Sequence, residues 1–98
     1  MKIYISGAIS NTDDFMERFA KTEKELTEQG YSVVNPAKVN AQLPDDTSYE
    51  EYMKMCFCML DMCDCVYFIN GWKDSKGCLM EYGFSIKKGI DIFYENNK

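Results

Sequence analysis

Ninety-eight residues with a formal net charge of −5 and a single arginine, Arg18, bound the possibilities before any motif is read. The length holds one domain, 1–98, and a content of 46% apolar and 28% charged residues describes a globular chain, not a disordered one. The negative balance argues against a nucleic-acid backbone as partner and leaves room for a small phosphorylated ligand held by backbone N–H groups. The apolar runs fall far short of a membrane span and no signal peptide is visible, so the expectation is a cytoplasmic protein.

Lys2 to Ser6 alternates and is rich in β-branched residues, which predicts a first strand ending at Ser6-Gly7. Gly7 to Asn11 is a small-residue loop, with Thr12 or Asn11 as cap for the helix that follows. Residues 13–29 carry Phe15, Phe19 and Leu26 at helical spacing, and Gly30 stops the helix. Tyr31 to Val34 reads as a second strand, halted by Asn35-Pro36.

Residues 37–48 are loop-like, with Pro44-Asp45-Asp46 as a turn. Ser48 and Glu51 form a capping-box pattern for a helix over 49–63 that is apolar nearly all round. Such a helix needs cover on a second side, and in so small a chain the expected cover is another subunit, giving a homodimer or higher homo-oligomer. The alternative is a Met-rich helix packed under a loop.

Four cysteines crowd this region as C-x-C-x4-C-x-C, from Cys56 to Cys65, and Cys78 follows. Cys56 and Cys58 would point to different sides of one helix, and the chain has no histidine, so buried reduced thiols are expected instead of a metal site. No cofactor is called for.

The stretch Cys65 to Gly83 carries the most chemical information. A buried strand, Cys65 to Ile69, is broken by Asn70-Gly71; Asp74, Ser75 and Gly77 then lead into a helix over 78–88. A strand, a short Gly-containing loop and a helix N-terminus make an anion site, because the free N–H groups of the first turn and the helix dipole both favour negative charge. Glu81 lies about one turn inside that helix. The plainer alternative makes Ser75 only an N-cap and Glu81 only a solvated helix residue. Gly89 and a last strand, Ile90 to Tyr94, complete the pattern.

The order β-α-β-(loop)-α-β-α-β predicts an α/β fold: a small flavodoxin- or Rossmann-like three-layer sandwich with a parallel sheet of four to five strands. Ligands of such sheets bind beyond the carboxyl ends of the strands, where the loops Ser6–Asn11 and Asn70–Gly77 both lie.

MKIYISGAIS, the strand entry Cys63-Asp64-Cys65-Val66-Tyr67-Phe68, and Gly71-Trp72-x2-Ser75-x-Gly77-x3-Glu81-Tyr82-Gly83 resemble the nucleoside 2-deoxyribosyltransferase superfamily. The similarity is greatest to its small phage- and bacterium-associated DUF4406-type branch, and it covers essentially the whole chain. The resemblance implies that Glu81 attacks the anomeric carbon of a 2-deoxyribose, giving a covalent glycosyl-enzyme that water or a second base resolves. It implies a 5′-phosphate at Ser75 and Gly77, and a pocket lined by Tyr4, Ser6, Gly7, Ala8 and Ile9. Trp72 is a candidate for base stacking, with a surface-covering role as its alternative.

The chain also departs from the family pattern. Family enzymes use a second carboxylate to assist the leaving base, and the matching position here is Cys56. Asp61 and Asp64 are the nearby candidates for that role, although Asp61 lies more than a turn further along and Asp64 falls at a helix–strand junction. Ser10 stands where monophosphate-specific members carry arginine. The expected function is therefore cleavage or transfer at the N-glycosidic bond of a deoxynucleoside or its 5′-monophosphate. The alternatives are a non-catalytic module that binds or sequesters a nucleotide metabolite, and a subunit with a vestigial pocket.

Overall fold

Strands and helices alternate along the chain, and the computed structural model describes residues 1–9 and 12–95. The strands are β1 (Lys2–Ser6), β2 (Ser32–Val34), β3 (Cys65–Phe68) and β4 (Asp91–Tyr94). The helices are α1 (Phe15–Glu28), α2 (Pro36–Asn40), α3 (Tyr49–Asp61) and α4 (Lys76–Lys88), with a single 3-10 turn at Trp72–Asp74 ahead of α4.

All described strands are parallel, in the order β2-β1-β3-β4, so the sheet has four strands, the lower of the two counts expected. The chain steps from β1 to β2 in one direction, then returns across β1 to β3. Right-handed crossovers then send α1 to one face and α3 and α4 to the other. The core divides accordingly. Ile3 and Ile5 of β1 pack with Phe19 and Leu26 of α1, while Tyr4, between them, packs with Met59 and Leu60 of α3 and Cys78 of α4. The reversal of direction falls between β1 and β3, and that is where the connections leaving the carboxyl ends of neighbouring strands run to opposite faces of the sheet.

The helix ends mostly follow their sequence signals. The Ser48 hydroxyl accepts from Glu51 N–H at 3.1 Å while Glu51 Oε1 accepts from Ser48 N–H at 2.8 Å, the expected capping box. Gly30 and Gly89 take positive φ just after α1 and at the end of α4. The start of α1 differs: Asp14 is the N-cap and makes no side-chain cap bond, while the Thr12 hydroxyl donates to the Ile9 carbonyl. Asn11 and Ser10 lie outside the described residues.

Residues 36–40 are helical, not loop. The Asn35 side chain accepts from Lys38 N–H at 3.2 Å and Pro36 occupies the first turn, so the pair that stops β2 also starts α2.

The Met-rich helix α3 buries Cys56, Met59 and Leu60 and leaves Met55 exposed, with Met62 exposed just beyond its end. Cys56, Cys63, Cys65 and Cys78 are buried free thiols, as expected; Cys58 is exposed, because it faces away from the sheet. Among the described residues, no helix is long and apolar enough to cross a membrane.

Candidate functional site

Tyr4 and Ser6 are two residues apart on β1, so both point to the face that carries α4. Opposite them stands Glu81, 5% exposed. The Tyr4 hydroxyl donates to Glu81 Oε2 at 2.6 Å, and the Ser6 hydroxyl donates to Oε1 at 2.6 Å. Each carboxylate oxygen is thus held by its own donor. Burial raises the Glu81 pKa above the usual carboxylate range, while Ser6, Tyr4 and the neighbouring Cys56 oppose the rise by hydrogen bonding to the charged form. Tyr4 is pushed well above its ordinary value, first by burial and then by the Glu81 charge, and so remains a donor.

Glu81 borders a cavity of about 860 Å³ at the carboxyl edge of the sheet. Its walls include Gly7, Ala8 and Ile9 after β1, Ser75 and Gly77 at the start of α4, and Tyr4. The loops expected to meet there do meet. At the start of α4, Ser75 Oγ accepts from Cys78 N–H at 3.2 Å, and the Ser75 carbonyl takes Leu79 N–H. The N–H groups of Lys76 and Gly77 then have no backbone partner among the described residues. At Gly77 a Cβ would stand 3.4 Å from both the Tyr49 hydroxyl and the Met53 sulfur, an ordinary contact distance, so the start of α4 lies against α3 at the rim.

Asp61 and Asp64 do not reach this cavity. Asp61 ends α3 and pairs with Lys88 Nζ at 2.6 Å, while Asp64 precedes β3 and its Oδ2 accepts from Lys2 N–H at 3.0 Å. In a parallel sheet the residues just before a strand lie at the amino edge, the opposite end from the pocket. Trp72 also lies off this cavity. Its ring stacks on Tyr82 with centroids 5.0 Å apart and on Tyr94 at 5.7 Å, within an aromatic group completed by Phe68.

Several wall residues escaped the sequence reading. Cys56, expected as a buried thiol at the position of the family's second carboxylate, faces Tyr4 and Glu81, and burial pushes its thiol pKa up. Asn40 enters from α2, buried, with Nδ2 donating to Cys56 Sγ at 3.4 Å. Asp74 and Lys76 bring a second carboxylate and a cation to the rim. The signal for those two was their position beside Ser75 in the loop already singled out.

A solved 2-deoxyribosyltransferase from the psychrotolerant bacterium Bacillus psychrosaccharolyticus superposes on the whole of this chain with a TM-score of 0.74, covering 75% of its own length at 20% identity. At that identity the likeness is one of fold, and it bears out the α/β architecture expected from the sequence. Curated protein sequences contain no match to the chain. The family model for a domain of unknown function, DUF4406, matches residues 1–94, and the chain belongs to that family.

Proposed function

We propose that this chain binds a deoxynucleoside or its 5′-monophosphate in the Glu81 cavity and cleaves or transfers at the N-glycosidic bond. The reading is carried by one observation: a buried carboxylate, oriented by two hydroxyl donors, opens on a cavity beside a helix N-terminus. A Glu81 oxygen attacks C1′ as the C1′–N bond breaks, and the bonding pair leaves with the base, which takes up a proton from water. The new C1′–O ester is then opened by water or by a second base. Tyr4 and Ser6 hold the carboxylate in place, which removes a reorganisation step before attack. The free N–H groups of Lys76 and Gly77, with the Lys76 side chain, suit a 5′-phosphate in a chain that carries Ser10 where an arginine is expected.

A second reading, binding without turnover, is favoured by Cys56. A thiol with a pKa raised by burial is a poor proton donor to a departing base, and it occupies the place of a carboxylic acid. One assay separates the two readings. Deoxynucleosides and their monophosphates are incubated with wild type and Glu81→Ala, and free base is quantified by chromatography. Base release by wild type alone supports the enzyme, whereas binding with equal background release from both supports the binding module.

A homo-oligomer built on α3 is also proposed, supported by exposed Met55 and Met62, with Leu79 and Ile86 exposed on α4. Light scattering across a dilution series is expected to show a mass above the monomer's 11.4 kDa. A monomer at every concentration overturns it.

A further inference from the structure

Asn40 is 8% exposed, lines the cavity, and its Oδ1 has no hydrogen-bond partner among the described residues. Buried amide oxygens are almost always paired, so an orphaned one on a cavity wall marks a place where something else supplies the donor. The orientation of the amide follows from its neighbour. Cys56 stands beside the Tyr4 hydroxyl and the Glu81 carboxylate, whose oxygens are far better acceptors for a thiol proton than a neutral amide. The sulfur therefore presents lone pairs to Asn40, which answers with Nδ2–H at 3.4 Å. Oδ1 is left as a lone acceptor with a fixed direction.

We propose that Asn40 Oδ1 is the base-selecting acceptor of this cavity and takes a hydrogen bond from the exocyclic amino group of an adenine- or cytosine-type base. The proposal rests on the nucleoside reading above and extends it to the base. Asn40 comes from α2, which packs on α1, α3 and β1, so it enters from a different wall than Ser75 and Gly77 on α4. A ligand with its phosphate at α4 and its anomeric carbon at Glu81 directs its base toward the remaining wall. There Nδ2 gives one N–H to Cys56 and keeps a second, while Pro36 and Ala37 offer no side-chain donor. An oxo group facing Oδ1 would repel it, and a base such as thymine, whose N–H is flanked by two carbonyl oxygens, brings an oxo group beside that N–H. An amino group avoids the repulsion.

The test uses carbocyclic 2′-deoxynucleosides, in which a methylene replaces the ring oxygen, so binding is read without cleavage. Dissociation constants are measured by calorimetry for the 6-amino, 6-unsubstituted and 6-oxo purines, with wild type, Asn40→Leu and Asn40→Ala. The expected wild-type order is amino, then unsubstituted, then oxo, with the first step about 10- to 100-fold. In the variants the three are expected to converge to within about 3-fold. Thermal melts identify a variant that fails to fold, and the wild-type series stands without either. Equal wild-type binding of the three purines, or an unchanged order in a folded variant, overturns the assignment of Asn40 while leaving the nucleoside reading intact. No binding of any nucleoside to wild type overturns that reading, and this assignment falls with it.

Discussion

The Tyr4 hydroxyl and Glu81 Oε2, 77 positions apart in the sequence, are joined by a buried hydrogen bond of 2.6 Å. The bond ties the central strand to the helix on its α4 side. It also stabilises the ionised carboxylate in a setting where burial works against ionisation. Removing the hydroxyl with Tyr4→Phe is expected to push the Glu81 pKa further up. In the enzyme reading, the acid limb of the pH–rate profile then moves to higher pH, with kcat/KM recovering above the limb. A stability loss of about 1–2 kcal/mol is expected in urea unfolding. An unmoved limb would separate Tyr4 from Glu81 ionisation.

Glu81 itself sets a pH dependence of stability. Its folded pKa lies above its unfolded value, so between the two the native state binds more protons than the unfolded state. The stabilisation from the protonated form is full below the unfolded pKa and is lost as pH rises through the folded one. Glu81→Gln is expected to remove this falling component and to raise Tm relative to wild type at neutral pH, with the difference shrinking below the unfolded carboxyl pKa. Parallel melting curves for the two proteins across that range would refute it.

Gly7 is held to its size by its neighbours. A Cβ there would meet Phe19 ring carbons at 3.0 and 3.1 Å and Ile69 Cδ1 at 3.1 Å. Gly7→Ala is expected to cost about 1–3 kcal/mol by overpacking, read as a lower urea midpoint with an unchanged m-value.

Ser48 starts α3, the helix that delivers Cys56, Tyr52 and Met53 to the cavity wall. Ser48→Ala removes one half of the capping box and is expected to cost about 1 kcal/mol, measured by the same unfolding experiment. Ser48→Asp is expected to retain most of the stability.

The strands and three of the helices were legible because their apolar periods are strong and their ends carry capping residues. The loop edge of the cavity was legible for a topological reason: once the sheet is parallel, the segments after β1 and β3 meet. Burial of Glu81 was harder to see, since a glutamate in a helix is usually solvated. The buried stripe Cys78, Glu81, Ser85 at helical spacing was the available signal. Asn40 was missed because Asn35-Pro36 ends a strand and begins a helix with the same two residues. Asp61 and Asp64 failed to reach the cavity because closeness along α3 and β3 is not closeness to the carboxyl edge of the sheet.

The alternation of β1 gives its pairing a built-in proofreader. Tyr4 and Ser6 face Glu81, while Ile3 and Ile5 face α1. A slip by one residue would turn isoleucines toward a sequestered carboxylate and drive two hydroxyls into hydrocarbon. Misaligned sheets are therefore penalised at the centre of the molecule by the same group that faces the cavity. Chains that escape the penalty, such as those bearing Glu81→Leu, are expected to lose uniqueness of the native state before they lose compactness.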